Sequence, residues 1–147
     1  MPRPEPVAIV GAGVTTPIGQ DVDAFWSALL TGAGGISPIE RFPVADLRVQ
    51  RGGEIKTLTR IRDWGRVPDC RATRLLVSAA DELCAQADLR PWPVDPARVA
   101  VVVGTALGGV EEWERAHRGD RRLKRLRGGL YDTPPHNLAR WLGAPGP

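Results

Sequence analysis

The chain has little of what small stapled or metal-bound domains depend on. Its two cysteines, Cys70 and Cys84, are too few for a disulfide framework and have no other ligand types around them for a zinc site, so both are expected as reduced thiols. Potential metal ligands nowhere gather in threes or fours, and no cofactor is expected. Cys70 precedes a helical pattern but has no base beside it, and Cys84 lies on an apolar helix face; neither is taken as a nucleophile. A G-x-S-x-G elbow is missing, and His117 and His136 fall at positions that a surface or a helix end explains, which sets a serine-hydrolase site aside. No apolar stretch approaches the roughly 20 residues of a membrane span, and the start MPRPEPVAIV lacks the long apolar core of a signal peptide. The expectation is a cytoplasmic chain without a membrane partner.

What is present is globular. At 147 residues and 42 % hydrophobic content the chain suits one domain, residues 1–147. Seventeen glycines and 14 prolines sit between the apolar segments without a period, so loops take up much of the length. The net charge of +3 is unevenly spread: from Arg115 to Arg127 seven basic residues face one acid, Asp120. Such a run is a solvated surface segment in its plainest interpretation, and an acidic protein partner is the sharper one. Nucleic acid is not expected, because no aromatic residue is interleaved and no reading motif is present.

The stretch VAVVVGTALGG, Val99 to Gly109, organises the rest. Its β-branched run Val99–Val103 suits a strand covered on both faces, and Gly104, Gly108 and Gly109 let the backbone turn sharply where open α/β sheets place their ligands. Earlier, Pro2, Pro4 and Pro6 keep the start extended, and Val7–Val10 forms a second apolar strand ending in Gly11-Ala12-Gly13. Asp21 to Thr31 carries Val22, Phe25, Trp26, Leu29 and Leu30 at helical spacing, with Asp21 as cap and Gly32 as a left-handed stop. Gly52 to Ile55 reads as an edge strand. Arg71 to Ala87 is a helix whose apolar face is Leu75, Leu76, Ala79, Ala80, Leu83, Cys84 and Ala87. After a connection punctuated by Pro91, Pro93 and Pro96, helices are expected over Val110–Arg118 and after Pro134-Pro135, with the basic run continuing into the loop Gly128-Gly129.

Strands alternating with helices define an α/β architecture with parallel strands. Two strands are too few to cover these helices, since open sheets usually have four or more. Much of the apolar surface therefore has no partner in view. One candidate site is a dinucleotide turn at Gly11-Ala12-Gly13, but Thr16 stands where G-x-G-x-x-G needs its third glycine, Pro17 follows, and the acid expected about 20 residues on is missing. A tight strand-to-helix turn explains the motif better.

The stretch VAIVGAGVTTPIGQDVDAFWSALLTGAGGISPIERF resembles the opening of the β-ketoacyl-acyl carrier protein synthases, through Gly11, Gly13, Thr16, Pro17, Gly19, Phe25, Trp26, Leu29, Gly32, Gly35, Ile36 and Phe42. The helix from Arg71, the strand and glycine loop VAVVVGTALGG, and HNLARWLGAPGP are similar to the segments that follow in that family. The resemblance implies the amino-terminal part of a thiolase-like fold, incomplete as a single chain. It implies decarboxylative Claisen condensation in fatty acid or polyketide biosynthesis, with an acyl group on a cysteine thiolate, a malonyl unit on the carrier's phosphopantetheine arm and two assisting histidines. Cys70 and Cys84 do not occupy the nucleophile position, which falls a few residues beyond the match to Gly146-Pro147. The chain is thus expected to be inactive alone and to need the nucleophile-bearing remainder from another chain, or a homodimer partner.

The same resemblance implies roles for particular residues. Leu107 borders the acyl pocket, and Gly104, Thr105, Gly108 and Gly109 shape its loop. Arg66, Arg71 and Arg74 stand near the face where an acidic acyl carrier protein docks. The competing expectation is a non-catalytic subunit or remnant that shapes an acyl tunnel or binds carrier.

Overall fold

The computed structural model describes residues 6–58, 70–89, 94–120 and 122–144. The expected extension at Pro2 and Pro4, the docking candidate Arg66, the prolines at 91 and 93, Arg121 and the Gly146-Pro147 end lie outside them.

The helices follow the caps in the sequence. Helix α1 spans Val22–Leu30; the Asp21 carboxylate accepts from the Ala24 amide at 2.7 Å, and Gly32 at φ +69° ends the helix as expected. Helix α2 is Arg71–Gln86, α3 is Val110–His117, and α5 is Thr133–Leu142, with proline in its first turn and Gly143 at φ +67° beyond its end. A short helix α4, Leu123–Gly128, forms within the basic run and takes in the first glycine of the expected Gly128-Gly129 loop. Gly109 and Gly128 bring α3 and α4 close together: a Cβ at Gly109 would stand 2.0 Å from the Gly128 carbonyl oxygen. The Trp113 indole, donating to the Gly129 carbonyl at 2.7 Å, closes this hairpin.

Helix α2 is the centre of what is buried. Thr73, Val77, Ser78, Glu82 and Cys84 are its buried residues, so of the seven expected on its apolar face only Cys84 is fully covered. The reason is what α2 meets. One side receives α5, with Leu138 buried and the Asn137 amide 3.4 Å from the Thr73 hydroxyl. Another receives the Gly11–Val14 turn, and there Gly13 approaches so closely that a Cβ would lie 1.8 Å from the Ala79 carbonyl oxygen. No sheet covers α2 among the described residues.

Strand structure is sparse. Strands β1, Ser37–Pro38, and β2, Arg51–Gly52, pair antiparallel. Only the first residue of the expected Gly52–Ile55 strand joins this ladder. Neither Val7–Val10 nor Val99–Val103 forms a ladder, which corrects the expectation of two core strands. A strand exists through its neighbour's hydrogen bonds, and the described residues supply none here. The Val99–Val103 run keeps the alternation of an extended segment: residues 99, 101 and 103 are half-buried, while 100 and 102 are exposed, Val102 to 93 %. One of its faces is therefore open instead of both being covered. Val7 and Ile9 are likewise more than nine-tenths exposed.

Candidate functional site

The glycine loop leaves the Val99–Val103 run and enters α3. The Thr105 hydroxyl accepts from the Gly108 amide at 2.9 Å, and Gly108 takes φ +54°, so the loop closes on itself in a turn that a side chain at 108 would strain. Gly109 is buried at the start of α3, and Gly104 has open space around it. Leu107 is 61 % exposed at the turn, so it is not a core residue of the described chain.

Two residues beyond Gly109 the chain contributes to a basic cleft. Arg71 and Arg74 from α2, Glu111 and Arg115 from α3, and Arg41 and Lys56 from the loops flanking β2 line a cavity of about 320 Å³. One oxygen of Glu111 accepts from both Arg41, at 2.9 Å, and Arg115, at 2.7 Å. Arg115 also reaches the buried Glu112 at 2.8 Å, and Lys56 pairs with Glu40. Arg71 donates to the Ile55 carbonyl. Burial, and after it the neighbouring Arg41 guanidinium, holds Arg71 below the usual arginine value against the opposing pull of Glu111 and Glu54. The structure thus gathers two of the three docking candidates into one cleft and leads the glycine loop to its edge.

Arg41, Lys56 and Glu111 were not singled out by sequence reasoning, and Arg115 only as the start of the basic run, although the Glu111–Arg115 spacing marks a helical ion pair. Glu82 was missed outright. Its carboxylate, 6 % exposed, accepts from the Val14 amide at 3.0 Å and from the Val22 amide at 2.7 Å, tying the glycine turn and the start of α1 to α2. The Gln86 side-chain carbonyl takes the Ala12 amide at 3.1 Å. The amides and glycines that a dinucleotide turn would offer to phosphate are engaged by α2. His117 and His136 border separate hollows on α3 and α5, and neither hollow is lined by a cysteine among the described residues. The described residues contain no group of three or more possible metal ligands and no helix long and apolar enough to cross a membrane.

Residues 4–147 match the family described as "Beta-ketoacyl synthase, N-terminal domain", and the chain belongs to that family of condensing enzymes. Among its relatives, the chain is 34 % identical over 118 residues to 3-oxoacyl-(acyl-carrier-protein) synthase 2 of Staphylococcus aureus (strain COL), covering 76 % of this chain and 28 % of that protein. It is 31 % identical over 111 residues to the protein of the same name from Synechocystis sp., covering 74 % of this chain and 27 % of the relative. The beta subunit of the tetracenomycin polyketide synthase ketoacyl synthase of Streptomyces glaucescens is 32 % identical over 118 residues, 78 % of this chain and 29 % of the subunit. The chain thus spans a little over a quarter of the length of these relatives.

Proposed function

We propose that residues 1–147 are the amino-terminal part of a β-ketoacyl synthase that elongates acyl chains on an acyl carrier protein by decarboxylative Claisen condensation, in fatty acid or polyketide biosynthesis. The family match over residues 4–147 carries this reading. The catalytic cysteine and histidines come from sequence outside these residues, which also covers the open faces of Val7–Val10 and Val99–Val103. In this arrangement Leu107 borders the acyl pocket on a loop shaped by Gly104, Thr105, Gly108 and Gly109. Arg71 and Arg74, with Arg66, steer the acidic carrier. A thiolate nucleophile suits the reaction because it forms an exchangeable thioester at neutral pH, and this chain's part is to shape the pocket and receive the carrier.

The match to a polyketide synthase beta subunit favours one second reading, a non-catalytic partner subunit. Coexpression with a cysteine-bearing complement separates the two. For the first reading, the mixture converts acyl- and malonyl-carrier to the β-ketoacyl product, and acyl transfer disappears when the 147-residue chain is omitted. Transfer that proceeds unchanged without this chain, with only the product length altered, would establish the second.

A further inference from the structure

We propose that the cleft between α2 and α3 is a binding site for the phosphoryl group of a small molecule. Its five cationic side chains, Arg41, Lys56, Arg71, Arg74 and Arg115, arrive from four separate segments, and among the described residues one carboxylate, Glu111, shares the lining. The carboxylates nearby are engaged. Glu111 is divided between Arg41 and Arg115, Glu112 takes Arg115 again, and Glu40 holds Lys56. Glu54 accepts from the Glu40 and Arg41 amides, each at 3.0 Å. Arg71 is left with a neutral carbonyl partner, and the Arg74 side chain with no hydrogen bond or ion pair among the described residues.

Two guanidiniums one helical turn apart on α2 offer planar donor forks suited to a tetrahedral oxyanion. The amino end of α2 adds to this. Arg71 is its first residue, Cys70 provides no side-chain cap, and no acid lies in its first turn, so the positive end of a 16-residue helix borders the cleft with no cap from these described residues. Burial, and after it the charge of Arg41, disfavours the ionised form of Arg71, and an anion in the cleft would offset the second. The volume of about 320 Å³ is that of a small-ligand pocket, and Arg71 and Arg74 are both half-buried within it. A phosphoryl group is small enough to enter a cavity of this volume.

Arg71 and Arg74 also belong to the proposed carrier-docking face, so the test keeps the two apart. Equilibrium dialysis of labelled pyrophosphate against the full chain is expected to show saturable binding of one equivalent. Arg74→Gln, which breaks no described contact, is expected to weaken it at least about tenfold, and the exposed Arg98→Gln to leave it unchanged. Displacement by 4′-phosphopantetheine would give the anion to a carrier arm, and failure to displace would give it to a free phosphorylated molecule. Pyrophosphate binding without binding of an arm-free carrier upholds the site and removes the docking role. Carrier binding without pyrophosphate binding, no saturable binding at all, or equal binding by Arg74→Gln overturns the inference.

Discussion

Glu82 holds more of the described chain together than any residue the hydrophobic pattern picks out. Both of its oxygens accept backbone amides from segments more than 50 positions away in sequence, and the group is buried. A hydrogen bond to a charged acceptor contributes about 1.5–3 kcal/mol, so Glu82→Gln, which replaces one acceptor by a donor facing an amide, should speed hydrogen exchange at Val14 or Val22 by roughly 10–150-fold. Unchanged exchange at both amides would remove Glu82 from this role. Nothing in the pattern Ala79-Ala80-Asp81-Glu82 marks that carboxylate, because a charge on a helix ordinarily faces water. Gly13, by contrast, was legible as a tight position, though its reason was not. It makes room for the α2 backbone, and Gly13→Ala should cost at least about 1–3 kcal/mol by overpacking, seen as loss of soluble chain on coexpression with its complement. Gly34→Ala, in open space, is the matched control.

Among the elements, those specified locally came through and those specified by partners did not. Helices α1, α2, α3 and α5 carry their own periodicity, with a side-chain cap on α1 and prolines in the first turn of α5, and their observed ends fall within about three residues of the expected ones. Asp21→Ala should therefore loosen α1 by about 0.5–2 kcal/mol, read as faster exchange of its first-turn amides. Helix α4 escaped notice because it is short, with Leu123 and Leu126 as its apolar residues among basic ones, and it is positioned by glycine contacts with α3. The two valine-rich runs were legible as extended segments, but their ladders depend on neighbours that the described residues do not include. The glycine loop was legible too, with Gly108 at positive φ and Gly109 in close contact. Leu107, exposed on that loop, should tune the pocket. Leu107→Ala in a reconstituted synthase is expected to shift the product distribution toward longer acyl chains, and an unchanged profile by mass spectrometry would count against it.

At the scale of the whole molecule the surface decides. The chain exposes 10710 Å², against about 7,400 Å² for a compact domain of this size. No residue of α1 is buried, and Trp26, Leu30, Ile36 and Tyr131 are all more than half exposed. Apolar faces this open belong to interfaces, which agrees with a chain matching little over a quarter of its relatives' length. The cleft residues show the same limit on what a sequence discloses. Arg71 and Arg74 stood out as basic, but Arg41, Lys56 and Arg115 join them only through the folding of distant segments.

The most direct measurement of completion by the nucleophile-bearing remainder is amide hydrogen exchange across Val99–Val103, with and without a cysteine-bearing complement. We expect these amides to exchange almost freely in the 147-residue chain alone and to slow by at least about 100-fold in the complex, as ladder hydrogen bonds form. Protection already complete in the lone chain, or none gained in a complex that condenses acyl and malonyl units, would contradict it.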